Sequence, residues 1–155
     1  MEENELEYVG FRARLGAAIV DNILLLVITV PLTLYFYGSA YFTGGFRIWG
    51  PMDIILNWVF PVVVTILFWI WKQATPGKML IGARIVDAKT GAAPSVGQCV
   101  GRYVAYVLSF VLLGLGFIWI IFDSKKQGWH DKLAGTVVIR PKKRVCDVKF
   151  EQPPT

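Results

Sequence analysis

The chain has 155 residues, 55% of them hydrophobic, a formal net charge of +5 and a mean hydropathy of +0.52. That balance excludes an ordinary soluble domain and fits a small integral membrane protein, with length for one helical bundle and a minor polar lobe. The Lys and Arg residues flank apolar segments and form no separate basic stripe, so they argue against nucleic acid as a partner and for the positive-inside rule.

Residues 1–10 read as a polar tail, disordered or lying on the membrane surface. Their acidic start, Met1-Glu2-Glu3-Asn4-Glu5, is not a signal peptide, so the first apolar run is expected to stay as an anchor. That run, residues 15–37, is long enough to span, since about 20 residues at about 1.5 Å each cross a hydrocarbon core of about 30 Å. It carries an acid, Asp21, about 9 Å inside its start. Arg14 stands seven positions before Asp21 on the same helix face, but two turns, about 10.5 Å, separate the two, so each needs a partner from elsewhere. Pro31 marks a kink that a membrane helix tolerates. Tyr35, Tyr37, Tyr41, Phe42, Phe46 and Trp49 then form an interfacial aromatic belt, and the loop 38–52, with Arg47 as its only base, is expected to face outward.

A second span is expected over residues 54–71, with Asn57, Pro61 and Thr65 inside it and Trp69, Trp71 and Lys72 closing it on the cytoplasmic side. The polar segment that follows predicts a strand over 81–87, where Ile81, Ala83 and Ile85 alternate with Gly82, Arg84 and Val86. Gly77-Lys78 is not a phosphate-binding loop, because Lys72 stands where that motif needs its first Gly and Met79 where it needs Ser or Thr. A third helix starts near Val96 and carries Gly97, Gly101, Ala105 and Ser109 at every fourth position, a small-residue ridge suited to close helix packing. Apolar sequence runs to Phe122, interrupted by Gly114-Leu115-Gly116. The β-branched run Thr136-Val137-Val138-Ile139-Arg140 predicts a second strand, stopped by Pro141, and residues 141–155 read as a basic tail.

If residues 103–122 made one straight span, the two basic regions would fall on opposite sides of the membrane. Placing everything but the 38–52 loop inside satisfies the charge rule and lets the two strands pair. Residues 97–122 are then either a straight third span or a re-entrant helical hairpin turning near Gly114-Leu115-Gly116. The expected fold is an all-α membrane protein with two full transmembrane helices, this third apolar helix or hairpin, and a small cytoplasmic two-stranded β element. Residues 11–140 form its single membrane domain.

Three groups of residues resemble one known family. Phe11-x-x-Arg14 followed by Asp21, Thr75-Pro76-Gly77-Lys78-x-x-x-Gly82-x-Arg84-Ile85-Val86-Asp87, and Trp129-His130-Asp131-Lys132-Leu133-Ala134-Gly135-Thr136-Val137-Val138 together look like the RDD family of bacterial membrane proteins. The resemblance maps the arginine and two aspartates of its name to Arg14, Asp21 and Asp131. It implies a multi-pass protein of the bacterial inner membrane with a cytoplasmic N-terminus, and a role in transport, most concretely cation/proton antiport.

An acid within a membrane helix costs roughly 2.5 to 3.5 kcal/mol at mid-helix, so Asp21 is expected to have a partner. It reads either as a cation- or proton-binding carboxylate or as half of a structural contact. Arg14 is expected to meet Asp131, leaving Asp21 to Arg102, unless Arg14 snorkels to lipid phosphates. Asp131 alternatively caps a short helix. His130 is a proton shuttle or a packed residue. Cys99 and Cys146 with one His make no metal cluster, and no metal or cofactor is expected. No nucleophile and base stand together, so no enzyme is expected. The remaining alternative to transport is a membrane scaffold with a structural Arg/Asp cluster. A chain with so few spans calls for a homo-oligomer or a larger membrane partner in addition to the lipid bilayer.

Overall fold

The computed structural model describes residues 6–45, 47–111 and 115–142. Its elements in chain order begin with β1 (Leu6–Tyr8), α1 (Phe11–Tyr37), α2 (Ala40–Thr43), α3 (Pro51–Ile54) and a π-helical turn (Ile55–Val59). There follow α4 (Phe60–Lys72), α5 (Pro76–Leu80), β2 (Arg84–Asp87), α6 (Val96–Val111), α7 (Leu115–Ile118), a 3-10 turn (Trp119–Ile121), α8 (Trp129–Ala134) and β3 (Thr136–Pro141).

α1 forms because 27 residues run with Pro31 as the sole breaker, and it ends at Gly38, whose φ of 65° lets its N–H turn back to the Leu34 carbonyl. α3, the π turn and α4 join into one 22-residue helix starting at Pro51, where a proline needs no N–H partner. It stops at Gln73, in the left-handed region at φ 56°. Both long helices have a mean hydropathy of 2.2 over a span-length window that is only 11% buried. Apolar side chains such as Val27, Leu26, Trp58 and Val63 therefore point outward, a surface that water does not favour.

The sheet differs from the two-stranded element expected. It has three antiparallel strands in the order β1-β3-β2, because residues 6–8 of the supposed tail close the second edge of β3. The register pairs Leu6 with Pro141 and Tyr8 with Ile139, and an Arg140 Nε to Glu7 Oε1 contact of 2.5 Å clamps the edge. β2 pairs Arg84 with Ile139 and Asp87 with Thr136. It is shorter than the 81–87 strand expected, since Gly82 adopts φ 66° and the Ala83 N–H turns back to the Lys78 carbonyl. The inner face, Ile85 and Val138, joins Val9, Trp69, Ala83 and Cys99 in the main core. Val86, Val137 and Ile139 form a smaller cluster on the other face.

Other boundaries also move. α1 begins at Phe11, four residues before the apolar span expected from 15, with Arg14 on the helix as expected, and the second helix begins at Pro51, before position 54. α6 has 16 residues, about 24 Å of helix, short of a bilayer core. The chain then reverses: Gly116 lies so close to Ser109 that an added Cβ would come within 2.5 Å of its Oγ, and the Phe117 ring lies 5.2 Å from Tyr106. In a straight helix positions 109 and 116 would be about 10.5 Å apart. Gly114, near which the turn is expected, lies outside the described residues, as do Met1 to Glu5, Phe46, Leu112, Leu113, Cys146 and the tail from 143 onward.

The ridge divides at this reversal. Ala105 and Ser109 are buried, while Gly97 and Gly101 are exposed and have open space around them, with the Ser95 hydroxyl the one atom near Gly97.

Candidate functional site

Three separated segments meet at Asp131. α8 starts at Gly128, and Asp131 in its first turn accepts the Gly128 N–H at 3.2 Å, which satisfies one backbone donor at the helix start. The same carboxylate pairs with Arg14 Nη1 from α1 and lies 2.5 Å from Arg102 Nη2 of α6. Arg14 also donates from Nε to the Val9 carbonyl at 2.8 Å and from Nη2 to the Lys126 carbonyl at 2.6 Å. Asp131 is 0% exposed and Arg102 1%. Burial pushes the Asp131 carboxyl up, but the guanidinium groups of Arg102 and Arg14 outweigh it and hold it well below the usual carboxylate range. Arg102 spreads over the Trp69 and Tyr106 rings, 5.1 and 5.8 Å from their centroids. Its Nε and Nη1 find no hydrogen-bond partner among the described residues.

His130 is packed, with its ring centroid 4.0 Å from Tyr106 and 5.0 Å from Phe117. Its Nε2 is 3.5 Å from Asp131 Oδ1, too far for a good hydrogen bond. Burial is the main reason its imidazole is driven down to about 3, despite the opposing pull of Asp131. It is neutral at physiological pH and sits in a closed aromatic layer.

The expected Asp21–Arg102 pair does not form. Arg102 is spent on Asp131, and Asp21 meets α5 instead. Thr75 donates its hydroxyl to Asp21 Oδ2 at 2.5 Å, and the Gly77 N–H donates to Oδ1 at 2.7 Å. Pro76 at the first position of α5 leaves this free N–H where an anion can take it. Gly77 is required sterically, because a Cβ there would overlap the Ala17 carbonyl. Thr75 also accepts from Lys78 Nζ at 3.3 Å, and Lys78 is buried. Nothing in the spacing of Thr75-Pro76-Gly77-Lys78 predicts this contact with Asp21. The local signal is a Pro-initiated turn directly after a long apolar helix, which exposes backbone donors next to the acid of the other long apolar helix.

Asp21, Thr75 and Lys78 line a cleft of about 520 Å³ between α1, α4 and α6, with Tyr103, Tyr106 and Phe117 on its far wall. A smaller cavity of about 220 Å³, with Leu25, Phe60 and Phe68 among its lining residues, reaches Asp21 and Thr75 from another side.

A second polar cluster closes the other end of the helix pair. Asp53 is buried and accepts from the Tyr41 hydroxyl at 2.7 Å, the Trp49 N–H at 3.0 Å and Asn57 Nδ2 at 2.9 Å. Its own N–H donates to the Tyr37 hydroxyl at 2.9 Å. The bond to Asp53, then burial, pushes the Tyr41 phenol up to about 12. Sequence reasoning missed Asp53 because it lies just before the expected start of the second span. Among the described residues no group of three or more His, Cys, Asp or Glu could hold a metal ion.

The RDD family model matches residues 8–135. The uncharacterized protein YxaI of Bacillus subtilis (strain 168) is 29% identical over 149 residues, covering 84% of this chain and 95% of its own length. YckC of the same organism is 30% identical over 134 residues, covering 83% and 82%. RP437 of Rickettsia prowazekii (strain Madrid E) is 43% identical over 75 residues, 48% of this chain and 41% of the rickettsial protein. No solved structure matches the chain.

Proposed function

The chain belongs to the RDD family, and from that premise we propose that it is a non-enzymatic, multi-pass protein of the bacterial inner membrane that takes part in transport of a small solute or cation, cation/proton antiport included. Its N-terminus is cytoplasmic in this reading, and α6 and α7 form a hairpin that enters the membrane from that side and returns. Apart from Arg47, the described Lys and Arg residues fall in the segments that the sheet and Asp131 gather together, as the positive-inside rule asks. The protein works as a homo-oligomer or with a larger membrane partner, since two spans and a hairpin enclose little alone.

The observation that carries the reading is the position of Asp21, an intramembrane carboxylate bordering two cavities between apolar helices. Its two hydrogen bonds leave lone pairs for a proton or cation. Arg14, Arg102 and Asp131 serve here as a lock that fixes the hairpin and α8 against α1. The scaffold alternative draws on that same lock, which is sealed from solvent.

Proteoliposomes loaded with a pH-sensitive dye and challenged with several cations test the proposal. Wild type is expected to move protons on cation addition and Asp21→Asn to assemble normally with flux reduced about tenfold or more. Silence from folded wild type with every cation, or loss of assembly in Asp21→Asn, favours the scaffold.

A further inference from the structure

Asp21 stands between two spaces of different character. The larger cleft also holds Lys78, whose ammonium reaches the carboxylate through the Thr75 hydroxyl. The smaller cavity, about 220 Å³, lies between α1 and α4, and Asp21 is the one charged residue on its lining. Leu24, Leu25, Ile28, Phe60, Val64 and Phe68 make most of the remaining wall hydrocarbon. Leu24 and Ile28 are 43% and 46% exposed, so the cavity opens on the apolar outer side of the helix pair, which is the lipid side in the membrane reading above.

None of the ion pairs among the described residues involves Asp21. Thr75 and Gly77 take two of its lone-pair positions, and a carboxylate has about four. A direct contact with a ligand cation is therefore open from the cavity. The wall decides which cation. A hard inorganic ion stripped of water takes about six oxygens, whereas the side-chain oxygens on this lining come only from Asp21, Thr65 and Thr75. An ammonium is content with fewer acceptors, and an organic body attached to it gains by leaving water for hydrocarbon and the Phe60 and Phe68 rings. A dry cavity of about 150 Å³ accepts a benzene, so this one has room for a phenyl ring with a short arm. We propose that the cavity binds a small amphipathic organic cation, its ammonium on Asp21 and its apolar body between α1 and α4, entered from the lipid side. The inference rests on reading Asp21 as the cation site and narrows the transported solute to this class, but it concerns binding, which is measured without flux.

The full chain in phosphatidylcholine nanodiscs is titrated calorimetrically with phenethylammonium, with empty nanodiscs subtracted. Phenethyl alcohol and hydrocinnamate serve as the neutral and anionic counterparts, and sodium and potassium chloride as inorganic cations. Saturable binding of the amine is expected, about tenfold or more tighter than either counterpart. Asp21→Asn is expected to weaken it about tenfold. Should Asp21→Asn fail to fold, Ile28→Trp, at the half-exposed mouth, fills the cavity and abolishes binding with Asp21 intact. Binding equal in wild type and these variants, or no saturable amine binding, overturns the proposal. So does phenethyl alcohol bound as tightly as the amine, which would mark the cavity as a seat for acyl chains, or sodium or potassium bound more tightly than the amine. Amine binding without flux would instead sink the transport reading and leave the site standing, while cation-driven flux without amine binding would do the reverse.

Discussion

Asp131 and Asp21 are both acids held near the same end of the molecule, and they are held in opposite ways. Asp131 has two guanidinium partners, no exposure and a helix start built around it. Asp21 has a hydroxyl and a backbone N–H, and it borders open cavities. Charge-to-charge pairing in a sealed interior fixes geometry, because removing either member leaves a buried charge alone. Neutral donors around a carboxylate on a cleft leave it free to change partner. In the transport reading proposed above, the first acid holds the architecture and the second takes part in the transport.

The largest effect that would break this comparison is on folding. Asp131→Ala strands Arg14 and Arg102 together and is expected to cost about 3 to 5 kcal/mol, read as loss of monodisperse protein or a large fall in Tm in detergent. A wild-type-like Tm would mean that the lock bears little of the fold.

Gly77→Ala tests the other acid through its scaffold. The new methyl group has to displace the Ala17 carbonyl, which is expected to cost about 1 to 3 kcal/mol and to open the Asp21–Gly77 hydrogen bond, visible as faster amide exchange at Gly77. An unchanged exchange rate would show that α5 is not seated on α1 by this contact.

His130 gives a pH signature that belongs to the sealed region alone. Its imidazole has a native value of about 3 against 6.5 in the unfolded chain. The unfolded state therefore binds an extra proton between these limits. Stability is full above pH 6.5 and is expected to fall by about 1.4 kcal/mol per unit as pH drops from there toward 4. Chemical denaturation across that range measures the slope, and His130→Phe should flatten it. The carboxylates that are held low, Asp87 and Asp123 among them, lose their contributions at lower pH.

The smallest effect concerns the ridge. Gly101 faces open space, so Gly101→Ala is expected to gain about 0.5 to 1 kcal/mol from helix propensity, measured as a small rise in Tm. A loss would instead reveal a second copy or partner seated there, and would turn the exposed half of the ridge into an interface.

What the sequence determined by itself was set by local periodicity and length. Two long apolar runs make helices of membrane-crossing length, β-branched Val137-Val138-Ile139 makes a strand, and the spacing of Arg14 and Asp21 rules each out as the other's partner, with Asp131 or a lipid phosphate left for Arg14. Three things were decided only in the tertiary structure. Leu6-Glu7-Tyr8 is too short to read as a strand until β3 offers it a free edge. The reversal between Ser109 and Gly116 depends on Gly116 having no side chain to hold the two legs apart. Arg102 chose Asp131 over Asp21 because the fold brings one within 2.5 Å and gives the other to Thr75 and Gly77. Periodicity tells which face of a helix a charge occupies, whereas its partner depends on which distant segment folds against that face.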